Sequence, residues 1–167
     1  MQPLGYGQRR LKESMTIPLT RTSPHPRRLL RSTGAVFLGF ITVVVLSLGT
    51  DQVLHVFQVY PPWGQPMYDP GLNLLALSYR IVYAVIGSYI TARFAPHLPL
   101  RHVWVGAGIG FVLSTAGAIA TISMGDFGPA WYPIALVLTT FPCAWLGGAL
   151  HRRTSPVTVF HNNQPAR

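Results

Sequence analysis

Two ionisable residues, Asp51 and Arg80, stand inside long apolar runs of the chain, and their chemistry constrains everything around them. A lone charge in hydrocarbon is costly, so opposite charges at one depth are expected to pair. His55 and Gln58 follow Asp51 at four and seven residues, the spacing of a shared helical face. Tyr79 and Tyr83 flank Arg80. Such a group has two uses. It can be a polar pocket in which Asp51 or His55 binds or passes a proton while Arg80 holds an anion or tunes the carboxylate. It can also be a structural ion pair that fixes the register of the two segments, and this is the preferred expectation.

Other chemistry finds fewer residues. Asp51 and His55 have the i, i+4 spacing of some metal-ligand pairs, but a site wants three or four protein ligands. His97, His102 and His151 are expected at the far side of the membrane, so no metal is expected. Cys143 is the single cysteine, which excludes an internal disulfide and a multi-cysteine zinc site within one chain. The chain has no P-loop, GxSxG elbow or HExxH motif, and Gly106, Gly108 and Gly110 do not follow a strand as a dinucleotide fingerprint would. No catalytic residue and no cofactor are therefore assigned.

The elements that must hold Asp51 and Arg80 follow from composition. Of 167 residues, 49% are hydrophobic and only 10% charged, whereas soluble domains carry about 25% charge. The expected class is an all-α integral membrane protein with four transmembrane helices in an up-down bundle. Each apolar run reaches the roughly 20 residues that cross a hydrocarbon core. The runs cover 34–57, 72–95, 103–124 and 130–150, a transmembrane domain of 34–150. Residues 1–33 hold four prolines and no helical period, and are expected to be a disordered basic tail. Those prolines argue against a mitochondrial targeting helix, and the long first run with a poor cleavage site argues against a signal peptide. Met15 is a second candidate start. Residues 151–167 form a polar C-terminal tail.

Charge sets the orientation. Thirteen Lys and Arg against four Asp and Glu give +9, and every basic residue except Arg80 lies in the N-terminal tail, around the second connection or after the fourth run. The other two connections carry Asp69 and Asp126 and no basic residue. The positive-inside rule then expects both termini in the cytoplasm and the chain in the cell (inner) membrane. Tyr60, Trp63, Tyr68, Trp131 and Tyr132 collect at the outer boundary and Trp104 and Trp145 toward the inner one, as an interfacial belt would. At 1.5 Å per residue Asp51 lies about 9 Å below the end of the first run and Arg80 about 12 Å below the start of the second, so antiparallel neighbours bring them within reach.

Gly106, Gly110, Ser114 and Ala118 recur every four residues, a ridge without bulk expected to serve helix packing, with a lined pore or lipid groove as the functional alternative. Ala84, Ser88 and Ala92 form a similar row, as do Ala144 and Gly148. Pro142 should bend the fourth helix near Leu138 and leave that carbonyl to Thr139, Thr140 or a neighbour. Gly39 with Phe40 recurs as Gly110 with Phe111, and Gly87 before Arg93 resembles Gly147 before Arg152; two duplicated helical hairpins would explain this, and so would chance in a Gly-rich chain. The leading functional expectation is a non-enzymatic accessory or assembly protein, whose partners are the lipid bilayer and a second copy or another membrane protein, with no nucleic acid. The alternative is a small oligomeric transporter or proton-coupled permease using Asp51, His55 and Arg80, and an enzyme ranks third for want of a nucleophile with a positioned base. Reporter fusions after Arg153 and within the Asp69 connection should read cytoplasmic and external respectively; a cytoplasmic Asp69 connection would sink the four-span topology.

Overall fold

The computed structural model describes residues 26–125 and 127–155, with side chains from residue 30 onward. Most of the expected N-terminal tail, most of the C-terminal tail and Asp126 lie outside the described residues. Within them the chain is all helical, with α1 Pro26–Val56, α2 Pro70–Phe94, α3 Pro99–Met124 and α4 Trp131–Thr154. Each of the four is long and apolar enough to cross a membrane.

The helix ends explain where the bounds differ from expectation. Residues 26–33, assigned to a disordered tail, are instead the first turns of α1, because Arg and Leu are strong helix formers and Pro26 suits the first turn. Pro99 does not merely end the second run; it starts α3 four residues early, where its missing N–H costs nothing. Pro70 plays the same part in α2, whose N-cap Asp69 accepts the Leu72 N–H at 2.9 Å. Gly125 closes α3 in the left-handed region, at φ 75°. α4 runs on to Thr154, with His151, Arg152 and Arg153 in its last turn complementing the helix dipole. Pro142 leaves α4 unbroken, and the threonines do not serve the Leu138 carbonyl as expected. Thr139 donates to Ala135 O at 2.9 Å and Thr140 to Leu136 O at 3.1 Å, since a helical threonine reaches back one turn rather than forward.

Packing is small inside and large outside. Ala92, Val103, Ala107 and Ala144 form the buried cluster, whereas Phe37 is 63% and Leu138 69% exposed. A water-soluble bundle does the reverse; small residues at helix contacts and bulky apolar ones outward suit lipid. α2 packs on all three other helices, α4 on α2 and α3, and α1 on α2 with only a light contact to α3. Along α1 the partners run from Gly87 at Gly39 to Arg80 at Asp51, so α1 and α2 are antiparallel. Along α2 they run from Tyr132 at Arg80 to Gly147 at Ser88, so α2 and α4 are parallel.

Glycines let these backbones meet. A Cβ on Gly39 would stand 2.5 Å from Gly87 O, and one on Gly147 would stand 2.6 Å from Val85 O and 2.8 Å from Tyr89 N. The row expected to do this on α3 does not. Cβ atoms at Gly106 and Gly110 would meet only side chains, Val36 at 3.5 Å and Thr140 at 3.7 Å, and Gly106, Gly110 and Ser114 line an open groove instead. α1, the helix that could have closed on them, is drawn to α2. Ala118 is buried, and Ala92, Ala144 and Gly148 do pack. The residues paired by the internal similarity make different contacts: Gly39 meets Gly87 on α2, while Gly110 faces Thr140 and Gly147 meets α2. The two loops at the Asp69 end are tied together, with the Met67 N–H donating to Phe127 O at 3.2 Å and Gly128 pressed on Met67 O. Gly39→Leu and Gly147→Leu should each cost about 1–3 kcal/mol of stability in detergent. Gly117→Ala, with nothing within 4 Å of its Cβ, should be neutral or stabilising by about 0.5 kcal/mol; equal losses at all three would refute the backbone contacts.

Candidate functional site

Asp51 sits in the penultimate turn of α1 and is 7% exposed. A carboxylate there needs its lone pairs filled. Arg80 of α2 supplies one donor, its guanidinium nitrogen lying 2.6 Å from Oδ2. The Tyr79 hydroxyl supplies the other, donating to Oδ1. Because Tyr79 has spent its only proton on Asp51, its oxygen can only accept from Tyr60, 3.3 Å away, whose hydroxyl has the Leu72 carbonyl at 3.5 Å as its other acceptor. The three groups thus form one directed chain, Tyr60 to Tyr79 to Asp51, in which each bond polarises the next. The Tyr60 ring is buried, and burial, the largest influence on it, pushes its phenol above the ordinary value. It therefore stays protonated, as a donor, at neutral pH.

Arg80 is balanced on its other side by aromatic rings. Its Cζ lies 5.8 Å from the Tyr132 ring centre and 6.0 Å from that of Tyr79, within cation–π range. The Nε is buried with no hydrogen-bond partner among the described residues.

Of the five residues singled out from sequence, Asp51, Arg80 and Tyr79 meet directly. Tyr83 makes no hydrogen bond to them; its ring lies 5.7 Å from that of Tyr79, and its hydroxyl shares a 2.8 Å hydrogen bond with Thr50. His55 is also apart. Its ring stacks on Trp63 with centroids 3.9 Å apart and meets Tyr60 edge-on at 5.6 Å, and its Nδ1 has no partner among the described residues. Gln58 does not share the face of Asp51, because α1 ends at Val56 and Gln58 turns into the left-handed region, at φ 56°. That turn explains Tyr60. The N–H groups of Val59 and Tyr60 both reach back to Leu54 O, at 2.9 and 3.2 Å, and fold Tyr60 under the helix end toward Tyr79.

Tyr60, Tyr132, Thr50 and Trp63 were missed as members of this group. Tyr60, Trp63 and Tyr132 carried the signal of boundary aromatics, and nothing in their spacing indicated that Tyr60 and Tyr132 fold inward while Trp63 stays exposed against His55. Among the described residues no three of His, Cys, Asp and Glu come together as metal ligands. Cys143 is buried in α4. Chemically the arrangement neutralises and immobilises a carboxylate; it presents no free nucleophile beside a base.

The chain matches no protein-family model, no curated protein and no solved structure with which it was compared. Its own geometry is the ground for any functional statement.

Asp51→Asn and Arg80→Gln should each lose roughly 2–4 kcal/mol in detergent, because each leaves the other charge unpaired. The double substitution should recover part of the loss, and strict additivity would mean that the pair is not energetically coupled. Tyr79→Phe should cost about 1.5–3 kcal/mol, the range for a hydrogen bond to a charged group.

Proposed function

We propose that the chain is a non-enzymatic multi-pass membrane protein with an accessory or assembly role, in which the Asp51, Arg80 and Tyr79 network is a clamp between α1 and α2 rather than a reaction centre. The observation that carries this reading is that both carboxylate oxygens of Asp51 are occupied while the residue is nearly inaccessible. A group that loads and releases protons needs a path to water and room to change partners. Asp51 and His55 do not line the large groove of about 920 Å³ that runs between α1 and α3; Arg80 alone of the three reaches its wall.

The same reading has four helices crossing the cell (inner) membrane as an up-down bundle, both termini cytoplasmic, with the bilayer and a second copy or another membrane protein as partners. The antiparallel contacts of α1 with α2 and the parallel ones of α2 with α4 support that topology, and the basic residues at one end support that orientation. A small transporter or proton-coupled permease is the second reading, and the observation in its favour is the access of Arg80 to the groove. The purified chain in liposomes loaded with a pH-sensitive dye distinguishes the two. Proton flux at the level of empty liposomes is expected for the wild type and for the Asp51→Asn, Arg80→Gln double variant. Flux in the wild type that Asp51→Asn abolishes would replace the structural reading with transport.

A further inference from the structure

The groove between α1 and α3, floored by α2 and α4, has a chemistry that changes along its length. At one end stand Arg101 and His102 of α3 beside the hydroxyl residues Ser32 and Thr33 of α1. Among the described residues no acidic one lines any part of it. Further in, four of the hydroxyls that face it are already committed, and Ser47 and Ser88 also line it. Thr91 donates to Gly87 O at 3.0 Å, Ser114 to Phe111 O at 3.1 Å, Thr139 to Ala135 O and Thr140 to Leu136 O, each on its own helix. The interior is therefore mostly methyl and methylene surface, with Arg80, already paired with Asp51, at its inner end and Arg101 and His102 at its mouth.

Length adds a second constraint. From Arg101 to Ser114, the extent of α3 that lines the groove, the helix rises about 20 Å. Half of a bilayer, headgroup layer included, measures about 20–22 Å. The groove is thus one leaflet deep, with its basic end at the headgroup level and its closed end near the midplane, where Arg80 and Ser47 stand. A transmembrane helix from a second copy would want a seat across both leaflets and would gain nothing from Arg101 and His102 at one end.

We propose that this groove binds one anionic phospholipid of the basic-end leaflet, its phosphate group held at Arg101 and His102 and an acyl chain lying along Val36, Gly106 and Gly110. The glycines on α3 have a use here that helix packing did not give them: they clear the wall for the chain. This inference rests on the membrane-spanning reading above and is independent of whether the role is accessory or transport.

Native mass spectrometry of the full chain in detergent, titrated with phosphatidylglycerol, phosphatidylcholine of the same acyl chains, or oleate, tests it. One phosphatidylglycerol per chain is expected, retained at a concentration at least tenfold below that needed for either of the others. The Arg101→Gln, His102→Gln double variant should lose that preference; Arg101 is exposed and His102 half-buried, so the fold should persist. Gly110→Leu and Ser114→Leu, which fill the groove, should each reduce retention at least tenfold, and an unchanged Tm in either one separates blockage from misfolding. Equal retention of the two phospholipids, tight binding of oleate, or indifference to both filling variants would overturn the proposal. A dimer that Gly110→Leu dissolves would assign the groove to a second copy and overturn it as well. Release of the chain from membranes by alkaline carbonate would instead defeat the membrane-spanning reading itself, a distinguishable failure.

Discussion

A carboxylate set into an apolar helix must be neutralised where it stands, and the answer to Asp51 orders the rest of the bundle. Its partner on α2 fixes the height of α2 against α1, since sliding by one turn would move Arg80 about 5.4 Å and break the 2.6 Å contact. With that height set, Gly39 falls opposite Gly87, where both backbones lack the Cβ that would hold them apart. Arg80 in turn faces the ring of Tyr132, and farther along the same two helices Gly147 lies against Val85 and Tyr89. Polar pairing at one end and glycine contacts at the other thus agree on a single arrangement of α1, α2 and α4.

α3 escapes this scheme, and its freedom is what makes the groove. It is held by α4 and by the small core of Ala92, Val103, Ala107 and Ala144, with Gly148 admitting Leu100. α1 already satisfies its backbone-close contact on α2, so the ridge of Gly106, Gly110 and Ser114 meets no other backbone, only side chains such as Val36 and Thr140, and lines the groove. Small residues on a helix therefore have two outcomes in one molecule. They bring a backbone near where a partner is held by something stronger, and they leave a channel where it is not.

What the sequence made legible follows from how rigid each rule is. Four helices could be read because the length of an apolar run that crosses a membrane admits little variation. The shared depth of Asp51 and Arg80 could be read because helical rise is fixed. The helix starts at Pro26 and Pro99 were harder, since proline marks both an ending and a beginning, and only the first-turn role applied here. Tyr60 was out of reach because its inward fold depends on one left-handed residue, Gln58, a conformation more common for Gly or Asn than Gln. Tyr132 was out of reach because the rotation of α4 about its axis is set by contacts with α2, which no local pattern records. His55 shows the converse: the spacing placed it near Asp51, and the loop bearing Trp63 claimed its ring.

The length of α1 has a mechanical meaning. Its 31 residues span about 46 Å, well beyond the roughly 30 Å of a hydrocarbon core. The lowest of its residues to be buried is Ala35, and a Cβ at Gly34 would touch nothing. Below that point about 13 Å of helix carries Arg27, Arg28 and Arg31. Above it α1 meets α2 first at Gly39 and then at Asp51. A pull on the arginine segment by a charged surface would therefore reach α2 through the Gly39 contact before it reached Asp51.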